Sequence, residues 1–136
     1  MMKLRFAVLL VFIGGAVGAI AREFLMLLIP TLSQGFPLDI LVANVVASLL
    51  IGFSTGRHNR KVISDGWHLM VTTGIMGGLS TFSSFAYATS VLIKASMTSA
   101  LVAAAYVLIS LVMGYAAVVV GMKIGGRSKR IPLSTQ

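Results

Sequence analysis

The sequence predicts an all-α integral membrane protein of four transmembrane helices, and three observations carry that reading. Of its 136 residues, 57% are hydrophobic and 10% charged, against roughly 25% charged in a soluble domain. So few polar groups cannot cover a core of this size in water. Four runs are long and apolar enough to cross a bilayer, which takes about 20 residues of helix. The charges, a net +8, lie between and beyond those runs rather than in one patch. That is the distribution of membrane-flanking residues, not of a nucleic-acid-binding surface, and no nucleic-acid partner is expected. The chain has no cysteine, so composition leaves the redox compartment open. With four crossings, 136 residues leave no room for a second domain.

The first span is expected over 6–29, the second over 38–55, the third over 68–93 and the fourth over 99–122. Pro30, Gly35 and Pro37 mark the first connection, and the polar stretch 56–66 forms the second. The third, 94–98, is so short that the third and fourth helices are expected as antiparallel neighbours. The polar tail 125–136 is expected to fray. Lys3, Arg5, an apolar run and Ala19-Ile20-Ala21 have the look of a signal peptide. The run is longer than a signal usually is, and hydrophobicity resumes after Glu23, so it is read as the first span.

Polar groups at membrane depth are costly, and each needs a reason. Gly14, Gly18 and Arg22 recur every four residues on one face of the first helix. The two glycines form a small-xxx-small pattern that lets two backbones approach, and this packing role requires no chemistry. Arg22 lies about 24 Å along the helix from Phe6, toward the far membrane surface. It either snorkels to headgroups or stands as a cation at a pore mouth. Asn44 and Ser48 share a face of the second helix. An asparagine there often bonds a neighbouring helix, and it can also present two N–H donors to an anion.

The third helix carries the strongest signal. Its run from Gly74 through Gly77-Gly78-Leu79-Ser80-Thr81-Phe82-Ser83-Ser84-Phe85 is too polar and glycine-rich for a plain span. Paired glycines followed by hydroxyl residues predict a break in the helix at membrane depth. Broken backbone frees carbonyl oxygens, and converging carbonyls suit a hard cation. Phe82 and Phe85, three apart, project to one side. Two phenylalanines on a membrane helix ordinarily meet lipid or pack, but their place inside a polar run admits a pore-lining role. On the fourth helix Tyr106, Ser110 and Gly114 share a face; a membrane serine often back-bonds its own helix, so that face decides nothing alone. His58 and His68 lie at membrane ends without ligand-spaced neighbours and are read as solvated. No nucleophile–base pair, phosphate loop or carboxylate pair occurs, and with three acids in the chain an enzyme is not expected.

These residues resemble a known family over essentially the full length: the small bacterial fluoride channels, the Fluc or CrcB family. Gly14-Gly15-Ala16-Val17-Gly18-Ala19 leading to Arg22 is similar to the family's first-helix signature, and Asn44 and Ser110 stand at its helix-two asparagine and helix-four serine. The string 77–85 is similar to the family's Gly-Gly-x-Thr-Thr-Phe-Ser-Thr-Phe. The resemblance implies two four-helix subunits packed antiparallel around two pores. It also implies a structural sodium ion at the dimer centre, held by the backbone carbonyls of Gly77 and Ser80. Phe82 and Phe85 would line the pores. Asn44 and Ser110 would offer donors, with the hydroxyls of Thr81, Ser84 and Tyr106 along the pathway and Arg22 at an entrance. The implied function is passive export of cytoplasmic fluoride across the bacterial inner membrane.

Three positions depart from the family pattern. Ser80 replaces the first threonine, which a backbone ligand tolerates. Asp39-Ile40 replaces a usual Gly-Thr, and Ala88 stands where many members keep a glutamate. Some pore polarity is therefore missing, which keeps a non-conducting structural subunit as one alternative. A small proton-coupled multidrug exporter is the other; that mechanism needs a carboxylate near the middle of the first helix, and Glu23 lies too near its end. Four crossings put both termini and the second connection on one side, with nine basic residues against Lys94 alone on the other. The bias predicts cytoplasmic termini. Because it opposes dual insertion, it also favours a heterodimer with a second, oppositely biased Fluc-type subunit over a homodimer.

Overall fold

A computed structural model describes residues 3–29 and 36–127. Its elements are α1 (Leu4–Leu28), α2 (Leu38–Asn59), α3 (Asp65–Leu69), a π-helical segment (Met70–Ile75), α4 (Met76–Leu79), α5 (Phe82–Ala95) and α6 (Met97–Gly126). Four helical stretches are long and apolar enough to cross a membrane, with α3 through α5 together forming the third. Large apolar side chains such as Leu4, Phe12, Leu27 and Leu111 lie on the outside, which suits a multi-pass protein whose solvent is lipid. The helices reach further than the hydropathy runs. The second continues to Asn59 and the fourth spans 97–126, because a helix end with polar side chains stays hydrogen-bonded once it leaves the apolar layer. Pro30 and Gly35 lie outside the described residues, as does the tail from 128.

The connections are tight and explicitly capped. α2 ends in a Schellman motif: Lys61 adopts φ 56°, its N–H donates to His58 O at 2.7 Å, and Val62 N–H donates to Arg57 O at 3.1 Å. Ser64 then caps α3 by accepting from Trp67 N. A single extended residue, Ser96, separates α5 from α6 and caps the latter through Ser99 N–H at 3.1 Å, so these two helices pack as neighbours.

Two glycine crossings set the helix order. Gly14 and Gly18 of α1 are buried against the third span. A Cβ on Gly14 would lie 2.6 Å from Met70 O, and one on Gly18 would strike the Ile75 carbonyl. The packing reading of that pair therefore holds. The second crossing pairs Gly52 and Gly56 of α2 with Gly121 and Gly125 of α6, where each added Cβ would meet the other helix's backbone. In lipid no hydrophobic force drives helices together, so such close backbone contact supplies the attraction. Between the crossings Ala47, Met76 and Leu79 form a small core, flanked by Ala21, Leu25, Val46, Ile51 and Ile75.

Candidate functional site

The site is built around the point where the backbone of the third span leaves helical geometry. Ser80 (ψ 152°) and Thr81 (φ −141°, ψ 97°) are extended between α4 and α5. Ser80 N–H still bonds Met76 O at 2.9 Å. The next donor, Thr81 N–H, which a continuing helix would aim at Gly77 O, instead donates to Asn44 Oδ1 of α2 at 2.9 Å. Ser84 N–H, the helical partner of Ser80 O, donates to Thr81 Oγ1 at 3.0 Å. Asn44 and Thr81 thus relieve the Gly77 and Ser80 carbonyls of their helical donors. Thr81, only 3% exposed, acts as the N-cap of α5.

The two helix ends meeting here carry opposite partial charge. The stretch from α3 to α4 ends with free carbonyls, the negative end, while α5 begins with free N–H groups, the positive end. A hard cation suits the first and a small anion the second. Gly77 itself is helical, exposed and free of any atom within 4 Å of where a Cβ would sit. Any requirement for glycine at 77 therefore comes from outside this protomer, not from a strained backbone.

Beyond the interruption an aromatic series runs inward. The rings of Phe82 and Phe85 are 6.1 Å apart, Phe85 and Tyr106 5.3 Å, and Tyr106 and Phe36 5.4 Å with planes at 88°. Phe82 is 82% exposed on the protomer surface, whereas Tyr106 is fully buried. The Tyr106 hydroxyl and Ser110 Oγ, one turn apart on α6 and near enough to interact with each other, are both buried, and among the described residues neither bonds any other group. Asp39, in the first turn of α2, is 7% exposed and its Oδ1 is likewise unpartnered.

The structure therefore brings Asn44, Thr81, Ser84, Phe82, Phe85, Tyr106 and Ser110 into one region. Arg22 lies half-buried on α1, one turn beyond Gly18 on the same face, and makes no hydrogen bond or ion pair among the described residues. Sequence reasoning missed Phe36, whose place in a connection gave no periodic signal, and read Asp39 only as a lost hydroxyl. It also placed His58 and His68 apart in solvent, whereas the fold stacks them with ring centroids 4.3 Å apart.

Fold and site define a multi-pass helical membrane protein whose third span carries two extended residues and which buries polar atoms with few partners among the described residues. The chain belongs to the CrcB family: residues 9–122 match the family described as CrcB-like protein, Camphor Resistance (CrcB). It is 57% identical over 124 residues to fluoride-specific ion channel FluC 1 of Brucella abortus, covering 91% of this chain and 46% of that protein. It is 48% identical to fluoride-specific ion channel FluC 3 of Yersinia pseudotuberculosis over 90% of both chains. With fluoride-specific ion channel FluC of Ignicoccus hospitalis it shares 36% over 89% of this chain and 96% of that one. The chain thus spans about half the length of the Brucella relative and nearly all of the other two.

Proposed function

We propose that this chain is a subunit of a fluoride-selective channel that exports cytoplasmic fluoride passively. One observation carries the reading: beside the Phe85 ring the Tyr106 hydroxyl and Ser110 Oγ are buried with no partner among the described residues beyond one another. A buried donor left unpaired costs about 1–3 kcal/mol, so the site favours a species that accepts hydrogen bonds. Fluoride is a small, strongly hydrated anion, and such donors replace its water. The edges of Phe82 and Phe85 carry positive partial charge and extend the path to the protomer surface. The free N–H groups at the start of α5 add a fixed positive end, and Asn44, with its oxygen committed to Thr81, keeps its NH₂ group for the anion. The names of the relatives agree with this reading.

The carbonyls of Gly77 and Ser80 fit a structural sodium ion, since they have lost their helical donors and hard cations take oxygen ligands. When bound, that ion neutralises converging carbonyl dipoles. The open surface at Gly77 and the exposed Phe82 suit an antiparallel dimer in which a second Fluc-type subunit covers both. The basic bias supports cytoplasmic termini in a bacterial inner membrane and favours a heterodimer. A second reading, a subunit that completes its partner's pore without conducting through its own, draws on Asp39, a buried acid in the first turn of α2.

Fluoride efflux from liposomes tests the function. Efflux with this chain alone supports a conducting homodimer; efflux only with a co-expressed homologue of opposite charge bias supports the heterodimer; none in either case refutes the channel. Single cysteines at Val62 and Met97 report orientation in intact cells. External labelling confined to Met97→Cys is expected, and labelling of about half the molecules at both positions would show dual insertion.

A further inference from the structure

A second cluster lies at the end of the bundle where α2 stops and α3 starts, away from the interruption. His58 and His68 stack nearly parallel, 4.3 Å between centroids and 11° between planes. His58 Nε2 donates to Asp65 Oδ1 at 2.9 Å. On the other side of the stack, His68 Nδ1 is hydrogen-bonded to Ser54 Oγ at 3.1 Å, and Ser54 is buried. A cleft of about 710 Å³ lined in part by His58, Lys61 and Asp65 gives water access to the His58 side of the stack. These four side chains join α2 to α3 and touch nothing in the proposed fluoride path.

We propose that His58 and His68 form a proton-binding site that sets how α3 sits against α2. One positive charge is accommodated: His58 lies in the last turn of α2 and Asp65 in the first turn of α3, where a cation and an anion each suit the helix dipole. A second is not, because it places two cations face to face. It also puts positive charge on His68 within the first helical turns of α3, where the dipole opposes it. Asp65 serves His58 and cannot offset both. The other nearby charges are basic or committed elsewhere. Arg57 lies over the Phe53 ring, 5.9 Å from its centroid. Arg60 donates to Gly126 O of α6. Lys61 lines the cleft, and Lys3 and Arg5 of α1 and Lys123 and Arg127 of α6 lie at the same end of the bundle. Binding of a second proton on acidification therefore separates the stack. From His68 the helix runs through the π segment to Ser80, about 18 Å at 1.5 Å per residue. Displacement at its base therefore reaches the interruption.

The chain contains two histidines and one tryptophan, Trp67, so the whole protein reports on this site without added probes. In lipid nanodiscs, ¹⁵N-histidine NMR is expected to show two separated protonation steps as the pH is lowered. The second should coincide with loss of the stacking shift and a change in Trp67 emission. Asp65→Asn should move the first step to lower pH, and His68→Gln should abolish both the second step and the Trp67 change. Fluoride efflux should fall across the second step in the unaltered chain and stay flat in His68→Gln. Two imidazoles titrating independently over one range, or Trp67 emission unchanged through the second step, would overturn the proposal. Efflux absent at every pH refutes the fluoride reading instead, and the imidazole and Trp67 titrations still decide the switch.

Discussion

Asn44 Oδ1 accepts the backbone N–H of Thr81 at 2.9 Å, and this bond between α2 and the third span diverts the donor that would otherwise continue the helix. The asparagine thus acts on the backbone through its oxygen and leaves its nitrogen available. Asn44→Ala should destabilise the protein by about 1–3 kcal/mol, the cost of an unpaired buried N–H, and lower fluoride efflux. Asn44→Asp keeps the acceptor but removes the donors and adds charge, so it should retain thermal stability and lose efflux. Full efflux in Asn44→Asp would assign the residue to backbone positioning alone.

Phe82→Ile should leave protomer stability within about 0.5 kcal/mol, as for an exposed position, yet abolish most fluoride efflux. Phe85→Ile loses its ring contact with Tyr106 and should cost about 1 kcal/mol together with efflux. Thermal melts and liposome flux on the same preparations separate the two effects. Unchanged flux in both would refute the aromatic path.

Tyr106→Phe and Ser110→Ala remove buried hydroxyls that have no partner among the described residues beyond one another. Stability should therefore hold or rise, because removing an unsatisfied buried group relieves its desolvation cost. Fluoride efflux should fall in both. Asp39→Asn removes that buried acid, and an increase in efflux is the expected sign.

Three glycine and serine variants separate crossing, interface and ligand. Gly18→Val drives a side chain into the Ile75 carbonyl and should prevent folding. Gly77→Val meets open space within the protomer and should fold, but fail to dimerise on size-exclusion chromatography. Ser80→Ala should be nearly silent, since only its backbone carbonyl is invoked. Dimerisation by Gly77→Val would remove that surface from the interface.

Lys61 holds the left-handed position of the α2 C-cap, φ 56°, which costs a side-chain-bearing residue about 1 kcal/mol. Lys61→Gly should raise stability by about that amount in a denaturant or thermal titration without altering flux.

The number of spans, their order and the short turn between α5 and α6 were legible in the sequence, because lipid forces every backbone polar group into helix and makes apolar length a direct measure of crossing. The polar run 77–85 was legible as the candidate functional region for the same reason, since unpaired hydroxyls are costly at that depth. The tertiary structure alone decided which groups meet. Gly52 and Gly56 find Gly121 and Gly125 only when α2 crosses α6. Tyr106 becomes a buried donor only when Phe36 and Phe85 close over it, and His58 meets His68 only because Lys61 turns the chain back. Spans are fixed by transfer from water to lipid, a property of each segment by itself. Close contacts depend on the relative rotation of helices, which is set by all of them together.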